Sequence, residues 1–289
     1  MVFMHEYNLL ERLLFFPTNL NKEKLGRTIE GKTILITGAS SGIGEQVAYL
    51  LAEMNVHLIL VARREGKLET IKNEIEKKVA KVSILRADLR NAEDIERLLT
   101  FIQQLPKGVD IVVSNAGISI NRSIQHSLHR YHDFTRTMAI NYFAPVQLLL
   151  SVIPLLEKNK GQIINISTVN TLLLPIPHWA AYQASKTAFD TWLRSAAPEL
   201  NGMGIETTTL YLPLVRTPMI APTVAYEKIP AMCPNHVAQI ICKSMYTKRK
   251  IYRPWWLIFG QWASLLFRGI WESVMPMVLR KRGKGNDDN

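Results

Sequence analysis

Short apolar runs alternate with amphipathic stretches along most of the chain. Each run has the length of a strand and is apolar on both faces, as in a parallel sheet that helices cover on both sides. The runs predict strands at 32–37, 56–61, 82–86, 109–114, 162–167 and 205–211. Helical patterns separate them at 43–54, 65–80, 91–105, 128–157 and 181–201. This alternation predicts a doubly wound α/β sheet with a ligand site at the carboxyl ends of the strands.

The predicted sheet lies in one domain with an extension at each end. No repeat, low-complexity segment or linker divides residues 30–253. We interpret this region as a Rossmann-type catalytic domain, residues 1–29 as an amphipathic N-terminal extension, and residues 254–289 as a basic, tryptophan-rich tail. A chain of 289 residues with 47% hydrophobic residues is long enough for this organisation.

Two features favour a reducing, cytoplasmic compartment. The two cysteines, Cys233 and Cys242, have the spacing of neither a redox motif nor a metal site, so we expect no metal. The first apolar segment contains Glu6, Glu11 and Arg12, whereas a secretory signal needs an uninterrupted apolar core.

Three glycines follow the first predicted strand. Gly38, Gly42 and Gly44 have the spacing Gly-x-x-x-Gly-x-Gly and stand between a strand and a helix. Glycines at this place allow a tight turn and close approach to a pyrophosphate, which the free N–H groups of the next helix then face. The alternative is a turn without a ligand. The position between strand and helix favours a nucleotide site.

The second predicted strand ends in Ala62-Arg63-Arg64. An acidic residue at this edge would bind the ribose hydroxyls of NAD. Ala62 instead leaves space, and Arg63 offers a planar, permanently charged group for a 2′-phosphate. This pattern favours NADP(H), against the alternative of two solvated arginines that open a helix.

Candidate chemistry centres on Tyr182 and Lys186, one helical turn apart, and on Ser167 at the end of an upstream run. Reduction of a carbonyl needs a hydride and a proton. A tyrosine can donate the proton, although its ordinary pKa of about 10 is high for exchange near neutrality. Lys186 on the same helix face can stabilise the phenolate and bind the nicotinamide ribose, and Ser167 can donate to the substrate carbonyl. Hydrolysis by Ser167 is disfavoured because no Gly-x-Ser-x-Gly turn surrounds it.

The order of these motifs resembles that of the short-chain dehydrogenase/reductase family across residues 30–253. The matching positions are Thr37–Gly44, Asp88-Leu89, Asn115-Ala116-Gly117, Asn141, Ser167, Tyr182, Lys186 and Pro213–Thr217. The resemblance implies that Asp88 holds the adenine and that Asn115–Gly117 brace the cofactor cleft. It also implies that Thr217 contacts the nicotinamide amide, that Asn141 kinks its helix and holds a proton-relaying water, and that the protein is a homo-oligomer. Leu214 stands where the family usually has glycine.

Two sets of candidate site residues follow. The catalytic candidates are Asn141, Ser167, Tyr182 and Lys186. The cofactor-binding candidates are Gly38, Ser40, Ser41, Gly42, Ile43, Gly44, Arg63, Arg64, Asp88, Leu89, Asn115, Ala116, Gly117, Tyr182, Lys186, Val215 and Thr217.

The class of substrate is inferred from the apolar segment 213–234, which we call the substrate loop. Its part 215–223, together with Tyr226, resembles the corresponding loop of bacterial short-chain-type fatty acyl-CoA reductases. Apolar residues in and before this loop predict a lining that suits a long-chain lipid. They are Leu172–Leu174, Ile176, Trp179, Met219, Ile220, Val224, Ile229 and Met232.

The tail carries much of the positive charge. Residues 243–289 contain ten Lys/Arg against three Asp/Glu, within a total net charge of +11, and four of the six tryptophans. Basic residues mixed with Trp, Phe and Leu fit an anionic membrane surface better than nucleic acid. We expect a helix at 254–279 that lies in the interface, with the basic segment 280–282 on the headgroups. Leu9, Leu10, Leu13 and Leu14 form a second apolar stripe.

Alternatives remain for the placement of the two chain ends and for the function. The two ends could pack on the body or form a dimer contact, and a single membrane span at 254–279 would be costly at Arg268. The favoured function is an NADPH-dependent reductase of a long-chain lipid carbonyl, such as a fatty acyl-CoA, at the cytosolic face of a membrane. The alternatives are a steroid, retinoid or keto-lipid dehydrogenase, and a catalytically silent membrane-bound NADP(H) sensor or scaffold.

Overall fold

Seven parallel strands form one sheet in the described part of the chain. The computed structural model describes residues 7–220, 226 and 228–284. The strands are β1 (Thr33–Thr37), β2 (His57–Ala62), β3 (Lys81–Arg86), β4 (Ile111–Ser114), β5 (Gln162–Thr168), β6 (Glu206–Leu212) and β7 (Ile251–Tyr252). They pair in the order β3-β2-β1-β4-β5-β6-β7, each pair parallel. The order reverses between β1 and β4, where sheets of this kind open a ligand crevice. The predicted doubly wound α/β fold is confirmed.

Helices cover the two faces of this sheet and form both extensions. They are α1 (Leu9–Leu14), α2 (Lys22–Ile29), α3 (Gly42–Leu51), α4 (Glu65–Ile75), α5 (Ala92–Gln103), α6 (Tyr131–Met138), α7 (Ala144–Asn159), α8 (Ala180–Gly202), α9 (Pro234–Thr247), α10 (Leu257–Leu266) and α11 (Arg268–Lys284). A π-helical turn, Ala139–Phe143, joins α6 to α7.

Successive residues of the central strands point into two different cores. In β1, Ile34 and Ile36 pack with residues of α2, α3, α4 and α9, whereas Leu35 packs with residues of α5, α7 and α8. Both faces of the strand are therefore buried. This explains why the strands read as continuous apolar runs rather than as alternating patterns.

Two elements lie where the sequence pattern predicts none. Helix α9 buries His236 and Ser244 together with its apolar residues, so no clean apolar stripe marks it. Strand β7 has two residues, which is too short for a periodic signal.

The tail forms two helices rather than the single predicted one. Phe267 ends α10, and α11 begins at Arg268. Helix α10 has ten residues and spans about 15 Å, half of what a bilayer core requires. Among the described residues, one helical run, Tyr131–Asn159, has the length and apolar composition of a membrane span. Its residues Leu148, Leu149 and Val152 are buried in the core against the sheet.

Candidate active site

The predicted site residues converge on a cavity at the carboxyl ends of the strands. Its volume is about 580 Å³. Of the candidate residues, those that line it are Gly38, Ser40, Ser41, Gly42, Ile43, Arg63, Arg64, Asp88, Leu89, Asn115, Ala116, Gly117, Ser167, Tyr182, Lys186, Val215 and Thr217. Gly44 and Asn141 do not line it, and each packs directly behind its wall. Sequence motifs up to 179 residues apart thus meet in one cleft.

The glycine turn after β1 leaves no room for side chains. Gly38 and Gly42 have φ angles of +67° and +62°, a region that L side chains rarely adopt. A Cβ atom at Gly44 would lie 2.6 Å from the carbonyl oxygen of Gly38, and one at Gly42 would lie 2.9 Å from Cγ2 of Thr217. The main chain can therefore approach a bound pyrophosphate at the start of α3, which fits a dinucleotide cofactor.

Thr37 fixes the loop after β4 against this turn. Its Oγ1 accepts hydrogen bonds from the backbone N–H groups of Asn115 and Ala116, both at 3.0 Å. Asn115 in turn donates through Nδ2 to the carbonyl oxygen of Thr37, at 2.9 Å. Two loops on neighbouring strands are thus locked together by polar bonds, and the cofactor side of the cleft has a rigid floor.

Arg64 lies across two serine hydroxyls at the end of β2. Its guanidinium donates to Oγ of Ser40 at 3.1 Å and to Oγ of Ser41 at 2.6 Å. Arg63 also lines the cavity and is exposed. Two arginines and two hydroxyls therefore surround the place where a 2′-phosphate would sit. Sequence reasoning assigned the phosphate contact mainly to Arg63, whereas in the structure it is Arg64 that hydrogen-bonds to Ser40 and Ser41.

Asp88 stands at the end of β3 in an ion pair with Arg90. Nε of Arg90 donates to Oδ1 of Asp88 at 2.9 Å. This bond lowers the pKa of Asp88, so the carboxylate stays charged. An ionised carboxylate can accept a hydrogen bond from an adenine amino group, as the resemblance implies.

Tyr182 and Lys186 project from one face of α8 into the cleft. Nζ of Lys186 donates to the carbonyl oxygen of Ile166 at 2.9 Å, which fixes the lysine beside the end of β5. Burial lowers the pKa of Lys186 to about 8, against an opposing effect of Asp190. The ammonium group therefore stays mostly charged at pH 7 and loses its proton under mildly basic conditions.

The pKa of Tyr182 differs from the expectation that Lys186 lowers it. Burial raises this pKa to about 12, although a hydrogen bond with the side chain of Thr168 opposes the shift. Lys186 directs its ammonium group to a backbone carbonyl instead. Tyr182 is consequently held protonated at neutral pH, the state that a proton donor requires.

Ser167 has a buried acidic neighbour that sequence reasoning missed. Oγ of Ser167 donates to Oδ1 of Asp190 at 3.5 Å, and the Tyr211 hydroxyl also hydrogen-bonds to Asp190. Burial raises the pKa of Asp190. Its place four residues after Lys186, on the same helix face, is the signal that could have identified it.

Asn141 lies in the π-helical turn between α6 and α7, where a kink is expected. Its Oδ1 accepts from the N–H of Ile118 at 3.0 Å, and its Nδ2 donates to Oγ of Ser185 at 2.9 Å. Asn141 thereby ties its helix to the loop after β4 and to α8. Its part in a proton relay stays a prediction.

The opposite wall is apolar and aromatic. The indole of Trp179 stacks on Tyr226 at 5.9 Å and meets Tyr182 edge-on at 5.6 Å. Ile176, Met219, Ile220 and Ile229 extend this lining. Leu214 lines it too, and its carbonyl oxygen accepts from the N–H of Met232. A substrate whose carbonyl group lies at Tyr182 would thus have an apolar surface beside the rest of the molecule.

Four of the described residues that were predicted to line the cleft do not line it: Leu172, Leu173, Leu174 and Met232. Met232 is fully buried in the main core rather than in the cleft wall. Leu172 and Leu173 pack under the tail, against Trp256 and Leu257. Val224 lies outside the described residues.

Helix α10 packs beside the loop that precedes Tyr182. Leu257 is completely buried there, and the Ser264 hydroxyl accepts from the N–H of Leu174 at 3.2 Å. The base of the tail is therefore attached to the substrate side of the domain, as the alternative in which the C-terminal end packs on the body predicts.

Known proteins resemble this chain in sequence and in fold. A family model described as short chain dehydrogenase matches residues 32–228. A fatty acyl-CoA reductase of Acinetobacter baylyi is 41% identical over 223 residues, which cover 77% of this chain and 75% of the relative. A fatty acyl-CoA reductase of Mycobacterium tuberculosis is 38% identical over 221 residues, or 76% of this chain and 75% of the relative.

A solved structure shares the fold. It is a short-chain dehydrogenase from Sphingobium yanoikuyae in complex with NADPH, with a TM-score of 0.72 and 23% identity. The match covers 85% of this chain and 95% of that one.

Proposed function

The chain belongs to the short-chain dehydrogenase family of oxidoreductases, and on this premise we propose that it is an NADPH-dependent reductase of long-chain acyl carbonyls, with fatty acyl-CoA as substrate and the aldehyde as product. One observation carries the proposal: a single cleft joins Tyr182, Lys186 and Ser167 to an extended apolar wall. The sequence identities of 41% and 38% to two fatty acyl-CoA reductases support the same substrate class.

The residues have distinct parts in the proposed reaction. NADPH, when bound, supplies a hydride to the carbonyl carbon of the thioester. On substrate binding the Ser167 hydroxyl turns from Asp190 and donates its one hydrogen bond to the carbonyl oxygen, which it holds beside Tyr182. Tyr182 is protonated and donates its proton as negative charge develops on that oxygen. The product of these two transfers is a hemithioacetal, which collapses to the aldehyde as its hydroxyl proton passes to the departing sulfur of coenzyme A, and Tyr182 regains a proton from solvent. One acyl-CoA, one NADPH and one proton give aldehyde, NADP⁺ and free coenzyme A.

Two charged groups support the choice of NADPH over NADH. Arg64 is already oriented by Ser40 and Ser41, and Arg63 adds a second guanidinium at the same edge. The place where NAD-dependent enzymes need an acid is occupied by Ala62, which is buried. A dianionic 2′-phosphate would find charge-assisted donors here, whereas a ribose hydroxyl would find no carboxylate.

We also propose that the terminal helices dock on the cytosolic face of an anionic membrane. Helix α10 exposes Ile258, Phe259, Trp262, Leu265 and Leu266 along one side. Trp255 connects this side to the N-terminal helix: it stacks on Phe16 at 6.1 Å, and its Nε1 donates to the carbonyl oxygen of Leu13 at 3.0 Å. We call the combined surface the terminal apolar face; its members are Leu9, Leu10, Leu13, Phe16, Trp255, Ile258, Phe259, Trp262, Leu265 and Leu266.

An apolar surface of this extent marks an interaction site. The basic residues of the tail favour an anionic bilayer as the partner, and acyl chains dissolved in it would supply the substrate. The family resemblance adds a homo-oligomer to this proposal.

Activity on a panel of carbonyl substrates tests the proposed reaction. Purified protein with NADPH is given long-chain acyl-CoAs, long-chain aldehydes and steroid ketones, and products are identified by chromatography. We expect aldehyde and free coenzyme A from the acyl-CoA, with Tyr182→Phe as the inactive control. A clear preference for the steroid ketone would favour the keto-lipid alternative, and absence of turnover with every substrate would favour the sensor.

Vesicle sedimentation tests the membrane proposal. The protein should sediment with anionic vesicles and be partly released by salt, and Phe259→Ser with Trp262→Ser should weaken this binding. Leu150→Ser, on an equally exposed part of α7, is the matched control and should bind as the unmodified protein does. An unmodified protein that stays in solution with anionic vesicles at low salt would contradict docking and leave the reductase proposal intact.

A further inference from the structure

The substrate loop has a narrow neck at which its two ends meet. Val215 and Met232 form a parallel bridge. The N–H of Arg216 donates to the carbonyl oxygen of Met232 at 2.9 Å, and the N–H of Met232 donates to the carbonyl oxygen of Leu214 at 2.8 Å. Between these ends, Thr217, Met219 and Ile220 line the cleft. The position of the neck therefore sets the position of the substrate wall.

Glu11 of helix α1 binds both sides of this neck. Its carboxylate pairs with the guanidinium of Arg216 on one side and accepts from the N–H of Ala231 at 3.0 Å on the other. The other carboxylate oxygen accepts from the N–H of Asn8 at 3.1 Å, which caps α1. Glu11 is 1% exposed. A buried carboxylate with three donors is a specific contact rather than a surface ion pair.

Tyr7, one turn before Glu11, makes a second contact with the neck. Its hydroxyl accepts from the N–H of Cys233 at 2.8 Å and hydrogen-bonds to Nδ1 of His236 at 3.0 Å. Its ring lies under the guanidinium of Arg216, 5.9 Å from ring centroid to Cζ. Tyr7 and Glu11 thus hold the neck from the same side of the N-terminal segment.

The other side of that segment belongs to the terminal apolar face. Leu9, Leu10 and Leu13 are exposed, whereas Tyr7, Glu11 and Phe15 are buried. Both sets have helical spacing, so the short segment has one side on the neck and one side outward. The family match begins at residue 32, so the contacts come from outside the matched region.

We propose that Glu11 and Tyr7 are positioning residues that clamp the neck of the substrate loop and thereby give the cleft its preference for long acyl chains. They touch neither the reacting atoms nor the cofactor and act through Arg216, Ala231 and Cys233. This inference rests on the proposed function, because it requires that the cleft bind a substrate with an acyl carbonyl.

The first test is a comparison of chain-length profiles. In Glu11→Ala, kcat/KM for long acyl chains should fall by about tenfold while that for short chains changes little, because displacing a wall by a fraction of an ångström costs the contacts of a long chain. The loss should lie in KM rather than kcat. Glu11→Gln keeps an acceptor for the N–H of Ala231 and should recover part of the selectivity. Glu23→Ala, which removes an exposed ion pair of α2, is the matched control.

The second test measures the neck itself by hydrogen exchange. Amides of residues 229–236 should exchange faster in Glu11→Ala than in the unmodified protein, whereas amides of β1 should not change. Arg216 is partly exposed, with 42% of its side chain accessible, so its guanidinium can be solvated when Glu11 is removed, and the fold should survive. A single cooperative thermal transition, at whatever lower temperature the loss of these bonds brings, checks that the variant is folded.

Either of two results would overturn the proposal. One is an unchanged chain-length profile in Glu11→Ala, whether or not exchange at the neck is faster. The other is an equal loss at every chain length that Glu11→Gln does not reduce. Linear aldehydes are tested beside the acyl-CoAs. If the unmodified protein reduces no acyl-CoA, the proposed function fails, and the aldehyde series still decides on the clamp.

Discussion

The two walls of the cleft are built in different ways. The cofactor wall consists of main chain and short polar side chains, and Thr37, Asn115 and the glycine turn are locked together within the family match. The substrate wall consists of large apolar side chains, and its neck is held by Glu11 and Tyr7 from the far end of the chain. A dinucleotide has the same covalent structure in every turnover, so its wall can be specified locally. The proposed acyl substrate varies in length, and the wall for it is positioned by a distant segment of the chain.

Loss of the proposed proton donor should have the largest effect. It should reduce turnover while leaving cofactor binding at the other wall unchanged. In Tyr182→Phe, kcat should fall by about 100- to 10,000-fold because general acid catalysis is lost. Binding of NADPH, measured by fluorescence, should change little, since the cofactor wall is intact. Substantial turnover in this variant would show that another group donates the proton.

Lys186 lies where the walls meet, and its burial makes stability depend on pH. Its pKa is about 8 in the fold and 10.5 ordinarily, so between these values the unfolded chain binds more protons than the folded chain. The free energy of unfolding should therefore rise with pH across this window. Near neutral pH, Lys186→Met should be more stable than the unmodified protein by up to about 3 kcal/mol.

Denaturant unfolding at pH 7 and at pH 10 measures this difference. The advantage of Lys186→Met should shrink at the higher pH, and Lys67→Met, an exposed position on α4, should show no such trend. An advantage that is equal at both pH values would mean that packing, rather than the buried charge, is responsible.

Cofactor choice should depend on the cofactor wall alone. Arg64→Ala should weaken NADPH binding by about 10- to 150-fold, the equivalent of a charge-assisted contact worth about 1.5–3 kcal/mol. Binding of NADH, which has no 2′-phosphate, should be unaffected and serves as the control.

The double change Ala62→Asp with Arg63→Ala should shift the preference toward NADH. Equal use of both cofactors by the unmodified protein would refute this account of the edge.

The smallest effect is expected at Cys233, which supports the substrate wall through its backbone. Its thiol is buried at the N-terminus of α9 and does not line the cleft. Serine is favoured at such a helix start, so Cys233→Ser should keep its activity. Mass spectrometry of the protein during turnover should find no acyl group on Cys233. A covalent acyl intermediate there would require a different mechanism.

The contrast between the walls also explains what the sequence could predict. Strands β1 to β6 and the convergence of Tyr182, Lys186 and Ser167 followed from local patterns, because apolar runs, glycine spacing and helical periodicity are short-range signals. The contacts of Glu11 and Tyr7 with the neck of the substrate loop could not be predicted from such local patterns. Glu11 and Arg216 are 205 residues apart, and Glu11 within a leucine stripe reads as the polar side of an amphipathic helix. Its capping box with Asn8 was a local signal, but for helix α1 rather than for the loop.

The central claim is that this cleft reduces long acyl carbonyls with NADPH, and the dependence of kcat/KM on acyl chain length tests it most directly. With NADPH saturating and acyl-CoAs kept below their micelle concentrations, kcat/KM should rise with each added methylene until the wall is filled. The upper limit of the rise is about fourfold per methylene, from about 0.8 kcal/mol for each one buried. A flat profile, or highest efficiency with short polar carbonyls, would contradict the account.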